Sequence, residues 1–327
     1  MNNMRDELKK QFGDKIKEQV LLAPYTTYKV GGPADLFFTA TTHDELVDSV
    51  LSARKLDIPL FILGGGSNIL VGDKGFRGLI IKNNTSGITI KGMKGKVQGS
   101  NTERLVYVEV DSGVPMNKLV RFTVEEGLAG LEMHLGLPGS VGGAVCMNSK
   151  WTKPMGSVGD TLYKAVILTK DNEVRQVEKS YFQFSYGMSS IQKNDDVLIQ
   201  LVFLLKKENK DAVWKRANES IAYRRGSQPQ GVHTAGCIFK NISQDQALTF
   251  GTPDHQTSAG YLLDKAGCKG MRIGGAEVSD LHANFVITKP GATASDVIEL
   301  IDLMKKNVKK KFGVVLTEEI LRVGEFN

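Results

Sequence analysis

The sequence predicts an α+β protein built from two or three compact units. Three observations lead there. The chain has 327 residues, and domains run to roughly 100–200 residues. Short apolar runs bounded by glycine turns alternate with segments of helical period. The pattern also changes near residue 84, and again at the charged run Lys206-Lys207-Glu208-Asn209-Lys210.

The elements follow in order. Residues 5–19 are polar and helix-permissive. Tyr25 to Asp35, followed by Leu36-Phe37-Phe38, reads as strand, glycine turn, strand. Thr42 is an N-cap, with Glu45 three residues on and Leu46, Val47, Val50, Leu51 and Leu56 as the buried face of its helix. Ile58 to Leu63 reads as a buried strand, and Leu79-Ile80-Ile81 as another. Gly92 to Asn101 reads as a hairpin loop, Leu105 to Val110 as a strand, and Pro115 to Glu126 as a helix with proline in its first turn. The segment 127–144 holds too many glycines for a stable helix. Strands are expected at 165–169, 173–177 and 197–205, and helices at 211–224, near 259–266 and at 293–311.

Two glycine-rich segments stand out. The strand ending at Leu63 runs into Gly64-Gly65-Gly66-Ser67-Asn68. Such a loop can turn its amides onto an anion such as the pyrophosphate of a dinucleotide. It also reads as a tight structural turn. It is neither G-x-G-x-x-G nor a P-loop. The second segment contains Gly136, Pro138, Gly139, Ser140, Gly142 and Gly143, a density that suits close approach of a ligand to backbone. His134, among apolar neighbours, reads as either a packed or a catalytic histidine.

Composition excludes several classes. The net charge of +6 is mild, and the cluster Lys305, Lys306, Lys309, Lys310 and Lys311 reads as a solvated helix face rather than a nucleic-acid surface. Cys146, Cys237 and Cys268 are odd in number and form no C-x-x-C, which argues against a disulfide framework or a zinc site and fits a reducing, cytoplasmic setting. The first residues lack the apolar stretch of a signal peptide, and no run is long enough to insert in a membrane.

Taken together, the motifs resemble the UDP-N-acetylenolpyruvoylglucosamine reductase family of bacterial peptidoglycan synthesis. The matching blocks are T-T-Y-K-V-G-G-P-A at 26–34, L-G-G-G-S-N-I-L-V at 63–71, G-L-x-G-L-E at 127–132, G-L-P-G-S-V-G-G-A at 136–144, T-A-G-C-I-F-K-N at 234–241 and R-I-G-G-A-E-V-S-D-L-H-A-N-F at 272–285. Their order and spacing span nearly the whole chain and look like the shorter type, without an extra tyrosine-bearing loop. The resemblance implies a two-subdomain FAD-binding unit of the p-cresol-methylhydroxylase/vanillyl-alcohol-oxidase (PCMH/VAO) type over 1–83 and 84–207. It further implies an α/β substrate domain over 208–312 and a catalytic tail over 313–327. It implies non-covalent FAD, reduced by NADPH. Hydride then passes from flavin N5 to the vinyl methylene of UDP-N-acetylglucosamine enolpyruvate, and a protein acid completes UDP-N-acetylmuramate.

Carried over residue by residue, Tyr28, Gly64, Gly65, Gly66, Ser67, Asn68, Gly136, Pro138, Gly139, Ser140, Gly142 and Gly143 are expected on the cofactor. Tyr186, Arg225, Lys240, Asn241 and His282 are expected on the substrate. Cys237 stands where the family usually has its proton-donating serine. A thiol of ordinary pKa is mostly protonated at pH 7 and is a stronger acid than a hydroxyl. Glu319 aligns with the catalytic glutamate, with Glu318 one residue away. The family's Tyr-Arg-x-Ser is here Tyr186-Gly187-Met188-Ser189, so the arginine that steadies the enolate carboxylate is missing. Losing such a donor costs on the order of 10²–10³ in rate. Arg224, Arg225, Lys193 and Lys240 are candidate replacements. The alternatives to an active reductase are a flavin- or UDP-sugar-binding protein that has lost catalysis, and an FAD oxidase of different substrate.

Overall fold

A computed structural model describes residues 2–98, 101–152 and 155–326. The chain forms two compact units. The first comprises Met1–Ile16, Phe37–Gly65 and Leu79–Arg224, and the second Lys17–Leu36, Gly66–Gly78 and Arg225–Asn327. This division departs from the expected boundaries at 83, 207 and 312. The helix expected to open a third unit instead carries Val213 and Ala217 into the core of the first.

In the first unit, α1 (Asn2–Phe12) and α2 (His43–Lys55) precede the sheet. Thr42 caps α2, its hydroxyl accepting from the Glu45 amide at 3.1 Å. Leu60–Leu63 pairs in parallel with the strand that carries Leu79, Ile80, Ile81 and Lys82. The main sheet is antiparallel, in the spatial order Val174–Glu178, Leu162–Leu168, Val197–Lys207, Asn101–Asp111, Ile88–Gln98. Val106, Val108 and Val110 alternate inward on one strand, as a half-buried strand requires. They meet Leu201, Phe203 and Leu205, together with apolar residues of α3 (Met116–Glu125), α4 (Val141–Cys146) and α5 (Lys210–Ser227). Lys150–Thr152 and Met155–Ser157 form a small antiparallel hairpin.

The second unit adds α6 (Gln244–Thr249), α7 (Ala259–Lys265) and α8 (Ala294–Phe312), with a three-stranded sheet of Arg272–Ile273, Ala276–Val278 and Val286–Thr288. α8 buries Val297, Leu300, Ile301, Met304 and Val308 at helical spacing. It starts at a Thr293–Asp296 capping box and ends at Gly313, whose φ of +72° is the left-handed stop glycine tolerates. Asp73 also accepts from the Ala294 and Ser295 amides, at 2.7 and 2.9 Å. The tail strand Leu321–Val323 pairs in parallel with Ile69–Val71, directly after the glycine loop.

Four expectations need correction. The helix-permissive stretch 5–19 is helical only as far as Phe12, and Lys17–Leu21 is a strand. No strand forms over 25–30: Lys29 takes φ +57°, and the Thr26 hydroxyl bonds to the Ala23 and Val30 carbonyls, which makes this a compact turn. Gly92 to Gln98 is strand, paired as far as Gln98↔Asn101, and the turn joining the two strands lies outside the described residues. Inside the glycine-rich 127–144 segment, α4 forms despite Gly142 and Gly143. Ser140 caps it, and the Gly142 amide donates to the Ser112 carbonyl at 2.8 Å, so tertiary packing overrides poor propensity.

Candidate active site

In the first unit the two glycine segments lie backbone against backbone. A Cβ on Gly65 would sit 2.5 Å from Gly139 Cα, and one on Gly64 would sit 2.3 Å from Ser140 Oγ. Only residues without side chains permit that approach. The second segment is fastened to its neighbours: Met116 N donates to Gly139 O at 2.9 Å and Val141 N to Val114 O at 2.8 Å. The amides of Gly136, Gly142 and Gly143 are committed to Asn117 Oδ1, Ser112 O and Ser140 Oγ. What these three glycines offer a ligand is therefore room rather than donors. Pro138 is exposed at the bend between them.

Sequence reasoning missed Lys82. It pairs in register with Leu63, so its ammonium reaches the Gly64 carbonyl. Burial pushes its pKa below the ordinary ammonium range. The signal was present as a lysine ending an apolar strand one register step from the loop.

The amides of Gly65, Gly66 and Ser67 meet no protein acceptor among the described residues. Three consecutive uncommitted donors are what an anion-binding nest needs, and an ordinary tight turn would have satisfied some of them. The residues present thus fit a pyrophosphate-bearing cofactor.

His134 is a packed histidine. It is 3% exposed, and its Nδ1 finds no partner among the described residues. Burial, then the Arg224 charge, brings its pKa down to about 4, so it is neutral. Arg224 lies over the Trp151 ring at 4.4 Å. Tyr186 and Gly187 are the central residues of a tight turn closed by Met188 N donating to Ser185 O at 3.2 Å. Lys150 Nζ lies 3.7 Å from the Tyr186 ring centroid.

In the second unit, Gly66 has φ +62°, and a Cβ there would sit 2.2 Å from the Tyr25 carbonyl. Its own carbonyl accepts from the Thr27 amide at 3.0 Å. Ser67 and Asn68 are both half-buried. Asn68 Nδ2 donates to the Glu319 carbonyl at 3.1 Å. Glu319 N donates to Ile238 O at 2.7 Å and Lys240 N to Thr317 O at 2.9 Å, so the tail lies antiparallel to the segment 238–240. Half-buried Cys237 precedes that segment and forms a bridge with Phe285. Above Gly236, whose φ is +84°, a Cβ would meet nothing within 4 Å.

The two glutamates divide cleanly. Glu318 is held by Lys305 and by both Nε and Nη2 of Arg322, at 2.9 and 2.6 Å. Burial pushes its pKa up, but the Arg322 and Lys305 hydrogen bonds outweigh that and hold it below the usual carboxylate range. In an extended segment Glu319 points to the other face.

Tyr28 is fully buried in the core, and its hydroxyl lies toward the Ala235 amide without a well-formed hydrogen bond. Asn241 Oδ1 accepts from the Ala259 amide at 3.0 Å, at the start of α7. His282 Nδ1 accepts from Asn284 N at 3.2 Å, and its ring packs on Phe285 and on Gly260. Burial pushes its pKa down. Arg225 is exposed and Lys240 half-buried.

Comparison with known proteins identifies the family. Residues 228–323 match the profile described as UDP-N-acetylenolpyruvoylglucosamine reductase, C-terminal domain, and residues 34–178 match an FAD binding domain. The chain is 35% identical to the UDP-N-acetylenolpyruvoylglucosamine reductase of Bacillus velezensis, covering 99% of each chain. It is 36% identical to that of Clostridium botulinum, over 93% of this chain and 90% of the other. The crystal structure of the enzyme from Thermus caldophilus superposes with a TM-score of 0.72 at 31% identity, covering 94% of this chain and 99% of that one. The α+β architecture, with an FAD-binding unit and a distinct C-terminal domain, follows from these matches. The chain belongs to the UDP-N-acetylenolpyruvoylglucosamine reductase family.

Proposed function

We propose that this protein is an FAD-dependent reductase. With NADPH as reductant it converts UDP-N-acetylglucosamine enolpyruvate to UDP-N-acetylmuramate for peptidoglycan synthesis. The observation that carries this reading is the antiparallel pairing of the Cys237–Lys240 segment with the Glu319 tail, in a chain of this family. When bound, FAD supplies the hydride chemistry. The protein supplies the rest. The amides of Gly65, Gly66 and Ser67 donate to the pyrophosphate, and the close packing of Gly64–Gly65 on Gly139–Ser140 leaves backbone as the surface the cofactor meets. Cys237 Sγ gives its proton to the carbon that bears the substrate carboxylate, and Glu319 is the carboxylate at the same end of the site. Lys240, Arg225 and the Asn241 amide bind the anionic substrate. No helix among the described residues is long and apolar enough to cross a membrane, and the reading places the enzyme in the cytoplasm, where its nucleotide substrates are.

The relatives from Bacillus velezensis and Clostridium botulinum, matched over nearly their full length, both carry the name of the reductase, and the reading as a lapsed binding protein finds no support in them. Anaerobic flavin spectroscopy tests the reading. NADPH should bleach the bound flavin, and the enolpyruvyl substrate should then restore its colour. Bleaching without restoration would overturn it. Cys237→Ala should stall product formation while Cys237→Ser retains part of it, and native turnover by the alanine variant would remove Cys237 from the mechanism.

A further inference from the structure

We propose that Lys82 is a positioning residue for the cofactor: its ammonium holds the Gly64–Gly65 peptide in the orientation that offers the Gly65 amide to the FAD pyrophosphate. The inference rests on the reading of the glycine loop as the pyrophosphate site, and it names the group that prepares that site. Lys82, Gly64 and Gly65 all belong to the first unit.

Lys82 is next to last on the strand Phe76–Asn83, in register with Leu63, and its ammonium donates to the Gly64 carbonyl. A trans peptide is planar, with its C=O and N–H on opposite sides. A carbonyl drawn to Lys82 therefore turns the next N–H, that of Gly65, the other way. That amide has no acceptor among the described residues. Side chains do not set this orientation, because a peptide between two glycines has no Cβ on either side to bias it. The packing of Gly65 on Gly139 fixes where the backbone runs and leaves its facing to the lysine. The ammonium also polarises the peptide it holds, so the N–H on the far side becomes a better donor to an anion.

The strand end that carries Lys82 is anchored. Neighbouring Asn83 is buried, donates from Nδ2 to Ser112 Oγ at 2.8 Å and accepts from Thr85 Oγ1 at 2.9 Å. Ser112 Oγ donates to Leu198 O at 2.6 Å, and the Ser112 carbonyl accepts from the Gly142 amide at 2.8 Å. The strand end and the second glycine segment thus share one anchor. The charge on Lys82 also favours an anion. Lys82 is half-buried, no carboxylate among the described residues pairs with it, and burial alone lowers its pKa. Burying an ammonium without a counter-charge is costly, and a pyrophosphate beyond the held peptide offsets that cost.

Two measurements on the full chain test this. In isotope-labelled native protein, adding FAD should move the Gly65 amide proton downfield, as an N–H that takes up a phosphate oxygen does. A Gly65 resonance that FAD leaves in place would overturn the proposal whatever the variants do. In Lys82→Met, FAD should bind about tenfold or more weakly, the size of a charge-assisted contact. The phosphorus resonances of the bound FAD should shift from their native positions, while its visible spectrum and the thermal midpoint of the apoprotein stay native. Lys82→Arg should recover both the affinity and the phosphorus resonances. Affinity of Lys82→Met within about twofold of native would overturn the proposal. So would weaker binding with native phosphorus resonances, or with a lowered thermal midpoint, either of which would make Lys82 a structural residue. Native protein that takes up no FAD would defeat the cofactor reading itself, a result visible before any variant is made.

Discussion

The side-chain amide of Asn68 donates to the backbone carbonyl of Glu319 at 3.1 Å, which ties a loop residue to the tail 251 positions away. The parallel pairing of Ile69–Val71 with Leu321–Val323 begins one step later, with Leu321 N on Asn68 O at 2.9 Å. Asn68 thus sets where the tail starts its strand and how Glu319 is held. Asn68→Ala should lower stability by about 1 kcal/mol, the net worth of one such bond. It should slow flavin reoxidation by roughly tenfold through a displaced Glu319. Urea midpoints and stopped-flow traces check the two effects, and an unchanged reoxidation rate would show that the tail is positioned by its strand alone.

Glu318 and Glu319 should separate into a stabilising and a catalytic residue. Glu318→Gln strips Lys305 and Arg322 of their shared carboxylate, so its cost should appear in the unfolding midpoint. Because the Glu318 pKa lies below its unfolded value, its contribution is present above the ordinary glutamate range and is lost as pH falls through the folded value. The stability gap between native and Glu318→Gln should therefore close on acidification. Glu319→Gln should leave the midpoint in place and lower the reoxidation rate by about 10²-fold or more. The reverse pattern would exchange the two roles.

Much of this was readable in the sequence where local chemistry decides. Thr42 with Glu45, and Thr293 at the head of α8, are capping signals that work within one turn of helix. The glycine loop was visible because a triple glycine after an apolar strand has few uses. What the sequence hid depends on tertiary partners. α4 exists because Gly142 and Gly143 find Ser112 O and Ser140 Oγ, and nothing in the segment's own propensities favours a helix. Lys82 gains its meaning only from register across the sheet. Asn241 and His282 were read as ligand residues, yet each spends one polar atom on the protein's own backbone.

Gly65→Ala should weaken FAD more than Gly143→Ala. The added Cβ at 65 would lie 2.5 Å from the Gly139 backbone, whereas at 143 the nearest neighbour is Ser140 Oγ at 3.4 Å. Overpacking against backbone costs about 1–3 kcal/mol, equivalent to roughly 5–150-fold in affinity. Fluorescence titration of the apoprotein with FAD measures both variants, and equal affinities would mean the loops do not need their close approach.

His134 should make the protein acid-sensitive above the range where carboxylates titrate. Its folded pKa is about 4 and its unfolded value 6.5, so between those limits the unfolded chain binds a proton that the folded one does not. Stability is complete above 6.5 and falls by about 1.4 kcal/mol per pH unit as pH drops toward 4. His134→Leu removes the orphaned Nδ1 and this slope together. Urea midpoints at pH 7 and pH 5 should differ less in the variant than in the native protein, and identical pH dependence would assign the acid sensitivity elsewhere.

Putting arginine back at 187 should not restore a better enzyme. Gly187 has φ +63°, and the turn from Ser185 to Met188 is closed in both directions by backbone hydrogen bonds of 3.1 and 3.2 Å. An L-residue held in that region costs about 1–2 kcal/mol. The turn cannot relax cheaply, because Gln192 Nε2 donates to the Gly187 carbonyl at 3.3 Å and Ser189 anchors the next step to Cys146. Gly187→Arg should therefore lower stability by about that amount and displace Tyr186, with turnover level or reduced. Gly187→Asn should be milder in stability, since asparagine tolerates the left-handed region. A Gly187→Arg enzyme that is both as stable as native and much faster would mean that the turn accepts the side chain and that the native protein works without a cation at this position.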